Sequence, residues 1–265
     1  MADFRDKVVW ITGASSGIGA ALARAFAARG ARLVLSARRM AALEAVRAGC
    51  AGDPARIRLV PLDLADHAAL PERARDALGQ FGRIDILVNN GGISQRSLVK
   101  DTALEVDRRL IDVNYLGTVA LTKAVLPHFL EQGRGHIVTV TSLVGIFGTP
   151  MRSGYSASKH ALHGFFDSLR AELADTGIRV SLVCPGFIRT DVSINALTAD
   201  GSAQGTLDRA QAEGMDPDAC AVRILAGIAA GRREILVGGR EVMGVHLARW
   251  FPGLFARLVS RARVT

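Results

Sequence analysis

A tyrosine and a lysine four positions apart, Tyr155 and Lys159, are the side chains of this sequence best suited to acid–base chemistry. On a helix, residues at this spacing lie on one face, so the phenol and the ammonium sit side by side. A free tyrosine ionises near pH ~10, but a neighbouring positive charge favours the phenolate and lowers its pKa towards neutrality. Such a pair can give a proton to a carbonyl oxygen or take one from an alcohol. The same spacing also occurs in solvated helix pairs, so the surrounding chain must decide between the two interpretations.

Ser142 precedes this pair and follows an apolar, β-branched run over residues 137–141. That run predicts a buried strand, and the sequence 153–176 predicts the helix that carries Tyr155 and Lys159. The Ser142 hydroxyl is therefore expected to hold the same substrate oxygen that the tyrosine protonates.

Near the N-terminus, a short apolar strand over residues 7–12 runs directly into a glycine-rich turn, and an alanine-rich helix follows to about residue 30. This strand–turn–helix order is the context that a dinucleotide site requires. Gly13 permits the tight turn, Gly17 lets a pyrophosphate approach the backbone, and Gly19 allows close packing of helix on strand. The phosphates then meet the free N–H groups of a helix N-terminus. The candidate phosphate-binding residues are Gly13, Ser15, Ser16, Gly17, Ile18 and Gly19.

The second predicted strand, residues 32–36, is followed by Arg38 and Arg39. A site for NAD usually has an acidic residue here, which binds the ribose 2′-hydroxyl. Two guanidiniums suit a 2′-phosphate instead, so the residues favour NADP(H). The alternative is an ordinary solvated basic loop.

Predicted strands and helices continue to alternate along the chain. Further strands are predicted at 57–64, 84–89, 136–142, 178–184 and 234–237, and a long helical region covers 103–131. Repeated strand–helix units with apolar strands predict an α/β fold: one doubly wound domain with a seven-stranded parallel sheet flanked by helices. We expect this domain to span residues 1–240, with a C-terminal helical extension over 241–265.

Ligands of such sheets bind at the carboxyl ends of the strands. Six candidate residues follow predicted strands and should therefore converge on one edge: Gly13, Arg38, Asp63, Asn90, Ser142 and Pro185.

The composition excludes several other classes of protein. The 265 residues carry a formal net charge of +8, but the arginines are dispersed, the aromatic fraction is 5%, and there is no zinc-finger or RNA-recognition pattern. Three cysteines without CxxC spacing, and an N-terminus without an apolar signal core, predict a cytoplasmic protein with unpaired thiols. His160, His163 and Asp167 have a spacing that imitates a metal site, but further ligands are missing, and no metal is predicted.

Taken in order, these motifs resemble those of the short-chain dehydrogenase/reductase family. The resemblance covers nearly the whole chain and rests on residues 12–19, 89–92, Asn114, Ser142, Tyr155 with Lys159, and 185–190. Residues 89–97, 114–118 and 252–255 are most similar to the branch named after dehydrogenase/reductase family member 7. The resemblance implies a Rossmann-type domain and an assembly into homodimers or homotetramers. One departure is Gly91, where the family usually has alanine; both residues are small, and little consequence is expected.

The resemblance also implies a role for each site residue. Tyr155 is the acid/base, Ser142 orients the substrate oxygen, Lys159 binds the nicotinamide ribose and lowers the tyrosine pKa, and Asn114 keeps a water in place for proton relay. The remaining cofactor-binding positions that the resemblance implies are Asp63 and Leu64 beside the adenine, Asn90 at the adenosine ribose with Gly91 next to it, and Pro185, Gly186, Ile188 and Thr190 around the nicotinamide.

These observations predict an NADP(H)-dependent oxidoreductase that transfers a hydride between nicotinamide and a small hydrophobic carbonyl or alcohol. The alternative is a non-catalytic NADPH-binding sensor or scaffold, which has no need of Tyr155 and Ser142. No nucleic-acid partner is expected. In the C-terminal extension, apolar residues at helical spacing stand beside arginines and Trp250. Packing over the substrate cleft or against a second subunit is favoured, and contact with a membrane surface is the alternative.

Overall fold

The computed structural model describes residues 4–260. Strand β1 (Val8–Thr12) shows why the sheet must be covered on both faces, since all five of its residues are buried. Successive side chains of a strand point to opposite faces. Val9 and Ile11 accordingly pack in one core, and Val8 and Trp10 pack in another. The near-continuous apolar strand is therefore typical of a parallel sheet with helices on both sides.

Within residues 4–260, seven parallel strands form one sheet in the order β3-β2-β1-β4-β5-β6-β7. The strands after β1 are β2 (Arg32–Ser36), β3 (Ile57–Leu59), β4 (Ile86–Asn89), β5 (Gly135–Val140), β6 (Ile178–Pro185) and β7 (Glu234–Val237). The strand order reverses at β1: β2 and β3 lie on one side of it, and β4 to β7 lie on the other. The predicted fold class is confirmed, and this reversal opens the crevice in which such sheets bind ligands.

Helices cover the two faces in separate groups. The helices are α1 (Gly17–Ala27), α2 (Met40–Ala48), α3 (Leu70–Gly79), α4 (Leu104–Leu110), α5 (Gly117–Glu131), α6 (Ser153–Glu172), α7 (Arg209–Ala212), α8 (Pro217–Ala229), α9 (Met243–Trp250) and α10 (Pro252–Val259). One core contains residues of α1, α2 and α8, and the other contains residues of α3, α5 and α6. Among residues 4–260, no helix has both the length and the hydropathy that crossing a bilayer requires.

Several predicted boundaries were wrong. Strand β3 ends at Leu59 and not at residue 64, because Pro61 lacks the N–H that a ladder needs. The flanking amides of Val60 and Leu62 still donate to the carbonyls of Leu35 and Ala37, so the chain stays beside β2. Helix α6 ends at Glu172, four residues before the predicted end. The long helical region is interrupted by a π-helical turn, Ile111–Leu116, between α4 and α5.

One buried histidine ties β5 to β6. The Nε2 atom of His136 lies 2.8 Å from the Ser181 hydroxyl, and only 3% of His136 is exposed. Burial, and then the charge of Arg179, lower the pKa of His136 to about 4. Because this value lies below that of the unfolded chain, the unfolded state binds the proton first as the pH falls. His136 therefore favours unfolding between about pH 6.5 and pH 4.

We expect the wild-type protein to lose roughly 2–3 kcal/mol of unfolding free energy to this histidine alone between pH 7 and pH 4.5. Urea unfolding at both pH values measures the loss, and the His136→Asn variant should show a correspondingly smaller difference between them. His160→Gln, at an exposed position on α6, is the matched control and should behave like the wild type. An equal pH dependence in His136→Asn and wild type would contradict this assignment.

Candidate functional site

A cavity of about 940 Å³ lies along the carboxyl edge of the sheet. It brings together all six residues that the sequence places after strands, so the predicted convergence is observed. Of the site residues predicted from the sequence, those that line this cavity are Gly13, Ser15, Ser16, Gly17, Ile18, Arg38, Arg39, Asp63, Leu64, Asn90, Gly91, Ser142, Tyr155, Lys159, Pro185, Gly186, Ile188 and Thr190. Gly19 and Asn114 do not line it, and each lies in the layer behind.

The turn between β1 and α1 has backbone angles and close contacts that require glycine. Gly13 and Gly17 have φ angles of +62° and +52°, in the left-handed region that favours glycine. A Cβ on Gly19 would lie 2.3 Å from the Gly13 carbonyl oxygen, so Gly19 serves the helix–strand packing. In the described structure, the Ser16 side chain makes no capping hydrogen bond to α1. The first amides of this eleven-residue helix are therefore available to an anion.

Asn90 closes the same turn from the neighbouring strand. Its Nδ2 atom donates to the carbonyls of Thr12 at 3.0 Å and Gly13 at 3.2 Å. The Thr12 hydroxyl in turn accepts the amides of Asn90 and Gly91 at 3.0 Å. A Cβ on Gly91 would lie 2.7 Å from Leu64 Cδ1, the mobile end of a side chain. An alanine at position 91 would thus displace Leu64 slightly and leave the backbone cradle in place.

Arg38 and Arg39 follow β2 at one end of the cavity, and both are exposed. Within residues 4–260, neither guanidinium takes part in an ion pair. Asp63 is also at this end, and its carboxylate accepts the amide of Ala65 at 3.0 Å. This cradle fits a dinucleotide well. Glycine backbone and helix amides lie at its centre, and the Arg38 and Arg39 guanidiniums, which form no ion pair within residues 4–260, lie at the end where an adenosine ribose would lie.

Tyr155 and Lys159 occupy adjacent turns of α6 and both line the cavity. The Lys159 Nζ atom donates to the Val140 carbonyl at 3.0 Å and lies 5.8 Å from the centroid of the tyrosine ring. Burial lowers the pKa of Lys159 to about 8. Burial raises the pKa of the Tyr155 phenol, while hydrogen bonding to Ser142 and the charges of Arg152 and Arg96 lower it. The site thus contains a proton donor whose acidity depends on its neighbours.

Ser142 lies two residues beyond the end of β5, where a short 3₁₀ turn begins. Its hydroxyl oxygen accepts the Val144 amide at 3.3 Å and donates to the Pro185 carbonyl at 3.4 Å. These contacts hold the Ser142 hydroxyl beside Tyr155, so the hydroxyl and the phenol can both hydrogen-bond to one oxygen atom in the cavity.

Asn114 lies in the π-helical turn and is fully buried. It exchanges two hydrogen bonds with the backbone of Ile93, at 2.8 and 2.9 Å, and donates to the Ser158 hydroxyl at 3.0 Å. A Cβ on Gly92 would lie 2.9 Å from its Oδ1 atom and 3.5 Å from Lys159 Nζ. Asn114 therefore holds the segment after β4 against α6, immediately behind the lysine.

Sequence reasoning missed several residues around Tyr155. Gln95 is fully buried, and its Oε1 atom accepts the amide of Tyr155 at 3.1 Å, at the start of α6. Arg96, Arg152 and Asp208 form a buried charged cluster on the same wall, and both arginines line the cavity. Arg96 belongs to residues 89–97, which carry the family resemblance, but the sequence predicted no role for it. No local sequence pattern identifies Asp208 or Arg152 as site residues, because their partners are far away in sequence.

The C-terminal helices contact the other side of the cavity. The rings of Phe147 and Phe255 are 4.8 Å apart, and the cavity is also lined by Leu247, Leu258 and Val259. Arg249 forms an ion pair with Glu234 of β7 at 2.6 Å. Met243, Trp250 and Phe251 remain exposed. Residues 261–265 of the predicted extension lie outside the described residues.

Comparison with known proteins supports this geometry. A family model described as short chain dehydrogenase matches residues 7–200. The chain is 46% identical over 263 residues to the Dehydrogenase/reductase SDR family protein 7-like of Drosophila melanogaster. That alignment covers 97% of this chain and 81% of the fly protein.

Solved structures give the same result for the fold. A short chain dehydrogenase/reductase from Burkholderia phymatum in complex with NAD is 28% identical, with a TM-score of 0.84 and 96% coverage of both chains. An alcohol dehydrogenase from Thermococcus sibiricus complexed with 5-hydroxy-NADP is 26% identical, with a TM-score of 0.76 and coverage of 89% of this chain and 97% of that one. The two similar structures thus hold the two alternative dinucleotides.

Proposed function

The chain belongs to the short-chain dehydrogenase/reductase family, and from this premise we propose that it is an NADP(H)-dependent oxidoreductase for hydrophobic carbonyl or alcohol substrates. The family consists of oxidoreductases that bind a nicotinamide cofactor and act on small carbonyl or alcohol substrates. Its members are typically oligomeric, and we extend that expectation to this chain as a homodimer or homotetramer. The observation that carries the proposal is a tyrosine, serine and lysine facing the cavity whose other end is the glycine cradle.

The choice of NADP(H) over NAD(H) is supported by the residues after β2. Arg38 and Arg39 are exposed at the cavity, where an acid would bind the 2′-hydroxyl of NAD. Guanidiniums bind phosphate oxygens through charge-assisted hydrogen bonds and would repel no group of NADP. Their lack of an ion-pair partner among the described residues means that binding a phosphate breaks no existing contact.

The chemistry then divides between the cofactor and the chain. When bound, the nicotinamide cofactor supplies or accepts the hydride. Tyr155 gives a proton to the carbonyl oxygen in reduction and takes one from the alcohol in oxidation. Ser142 hydrogen-bonds the same oxygen and keeps it within reach of the phenol. Lys159 would bind the nicotinamide ribose and contribute positive charge beside the phenol.

Apolar side chains support a hydrophobic substrate. The wall of the cavity away from the cradle includes Phe147, Phe187, Leu247 and Phe255. Apolar pockets with a few convergent polar groups are typical of small-molecule sites. The competing candidate, an NADPH-binding sensor without catalysis, has no need of a tyrosine and a serine aimed at one point.

Cofactor preference provides the first test. We expect NADPH to bind at least tenfold more tightly than NADH, a difference of about 1.4 kcal/mol. Arg38→Asp should invert the preference, because a carboxylate repels the 2′-phosphate and accepts hydrogen bonds from the 2′-hydroxyl. Fluorescence titration with both cofactors measures this, with Arg75→Asp, an exposed arginine of α3, as the control. Equal dissociation constants for the two cofactors in the wild type would refute the preference.

Removal of the phenol provides the second test. Tyr155→Phe keeps the ring but loses the proton, so we expect turnover to fall by about 10²–10⁴-fold. NADPH binding should survive in this variant, whereas Lys159→Ala should weaken binding as well as turnover. NADPH oxidation against a panel of aldehydes, ketones and ketosteroids is the assay, and Tyr115→Phe is the matched control. Turnover near the wild-type level in Tyr155→Phe would show that another group transfers the proton.

The C-terminal extension provides the third test. We propose that it packs over the substrate end of the cavity, so Phe255→Ala should raise the KM for apolar substrates roughly tenfold. Trp250→Ala, at an exposed position outside the cavity, should leave the KM unchanged. If the extension binds membranes instead, Trp250→Ala should reduce sedimentation with anionic liposomes while Phe255→Ala leaves the KM unaffected. Oligomer mass, measured in parallel, shows whether either variant breaks a subunit contact.

A further inference from the structure

Three charged side chains are buried together beside Tyr155: Arg96, Arg152 and Asp208. Their side chains are 3%, 7% and 3% exposed, respectively. Charged groups are almost never buried to this extent unless they are paired, because desolvation costs several kcal/mol per ion. A cluster of this kind next to a reactive phenol therefore requires a physical account.

The three residues come from three separate parts of the chain. Arg96 lies in the segment after β4, Arg152 immediately precedes α6 and is three residues before Tyr155, and Asp208 immediately precedes α7. The Arg96 Nε atom donates to Asp208 Oδ2 at 2.6 Å. Arg152 Nη2 lies 3.8 Å from the same oxygen, and its guanidinium carbon is 5.6 Å from the centroid of the Phe187 ring.

Further contacts fix the orientation of the cluster. Arg96 Nη1 donates to the Ser94 hydroxyl at 2.9 Å and to the Gln95 carbonyl at 2.6 Å. Gln204 Nε2 donates to the second oxygen of Asp208 at 2.8 Å. Three hydrogen bonds thus hold the Arg96 guanidinium at the cavity wall, and Asp208 and the Phe187 ring hold that of Arg152.

The cluster contains two guanidiniums and one carboxylate. Other titratable groups near Tyr155 or along the cavity come from its own helix and from the elements around it: Lys159 from α6, Asp107 and Arg109 from α4, Cys184 from β6, Asp191 from the segment after β6, and Glu241 after β7. Besides Lys159, the arginine pair is a buried cationic group in the wall that carries the tyrosine. In a low-dielectric environment, such a charge favours the phenolate over the phenol.

We propose that Arg96 and Arg152 are positioning residues that stabilise the Tyr155 phenolate, and that Asp208 moderates their field. For its consequence in turnover, this inference rests on the proposed function. Burial raises the pKa of Tyr155, and the Ser142 hydrogen bond and then the charges of Arg152 and Arg96 oppose that rise. The coupling is reciprocal, since the charge of Tyr155 raises the pKa of Arg152.

In the cofactor-free protein, the charge of Lys159 alone would stabilise the phenolate poorly. Its pKa is about 8, so it has lost most of its charge at a pH where a buried phenol begins to ionise. Arg152, whose pKa burial lowers only to about 10, keeps its charge to a higher pH than Lys159. The arginines thus supply the positive field over the pH range in which the lysine has become neutral.

The chain allows a direct test, because it contains only two tyrosines, Tyr115 and Tyr155. In a Tyr115→Phe background, the ultraviolet absorbance of phenolate reports the titration of Tyr155 without any substrate. We expect Arg152→Gln and Arg96→Gln each to raise the titration midpoint by about one pH unit or more. Asp208→Asn should lower it, because it removes the negative charge that opposes the guanidiniums.

Two further variants separate charge from structure. Arg152→Lys keeps the positive charge and should largely restore the midpoint. Arg209→Gln, at an exposed arginine paired with Glu213 on the surface, is the matched control and should leave it unchanged. If the residues served only to hold the fold, the arginine and aspartate variants would shift the midpoint in the same direction or leave it unmoved, and either result overturns the proposal. Should one arginine variant fail to fold, the other and Asp208→Asn still decide.

The pH dependence of alcohol oxidation extends the test to turnover. In Arg152→Gln, kcat near pH 7 should fall about tenfold and recover as the pH rises, with the KM for NADP⁺ unchanged, whereas a structural defect would not recover. A shifted midpoint in a protein without any turnover would refute the proposed function and leave this inference standing. Normal turnover with an unshifted midpoint would support the proposed function and refute this inference.

Discussion

The arrangement of the molecule depends on the contact between the carboxyl ends of β1 and β4. These two parallel strands are neighbours although five elements, α1, β2, α2, β3 and α3, separate them in sequence, and the strand order reverses between them. The Asn90 amide binds the carbonyls of Thr12 and Gly13, and the Gly19 backbone packs against Gly13 so closely that a Cβ would lie 2.3 Å from its oxygen. The glycine cradle and the half of the sheet that carries Ser142 are thereby fixed relative to each other.

The start of helix α6 is fixed in a similar way from several sides. The Gln95 side chain accepts the Tyr155 amide, Asn114 binds Ser158, and Gly154 leaves room for Asp107, whose Oδ1 atom would lie 2.1 Å from an added Cβ. Helix N-termini leave unsatisfied amides that must find partners. Here a buried side chain from the segment after β4 provides one. The position of Tyr155 is therefore set by the end of another strand as well as by its own helix.

Sequence patterns predicted the parts of this structure that depend on local chemistry. Strand and helix periodicity predicted the parallel sheet, and the order of strands placed Gly13, Asn90 and Ser142 at one edge. Failures had two sources: a local signal that was overlooked, Pro61, and contacts that no local pattern encodes. Strand β3 was predicted too long because the apolar run continues past Pro61, and the ion pair of Arg96 with Asp208 joins residues 112 positions apart. Such pairs are visible only once the sheet has brought the segments together.

The segment between β6 and α8 carries the carboxylate that pairs with the arginines beside Tyr155. Its Leu197 exchanges backbone hydrogen bonds with Ser94 and Arg96, each at 2.8 Å, and Asp208 binds the side chain of the same Arg96. If this segment moved away from the cavity, Asp208 would move with it, and the guanidiniums would lose their counter-ion. The charge around Tyr155 thus depends on whether the segment is seated. Because a buried carboxylate is stable only while it is paired, the ion pair and the backbone contacts hold the segment in place together. The position of this segment and the charge around Tyr155 are therefore coupled through Asp208.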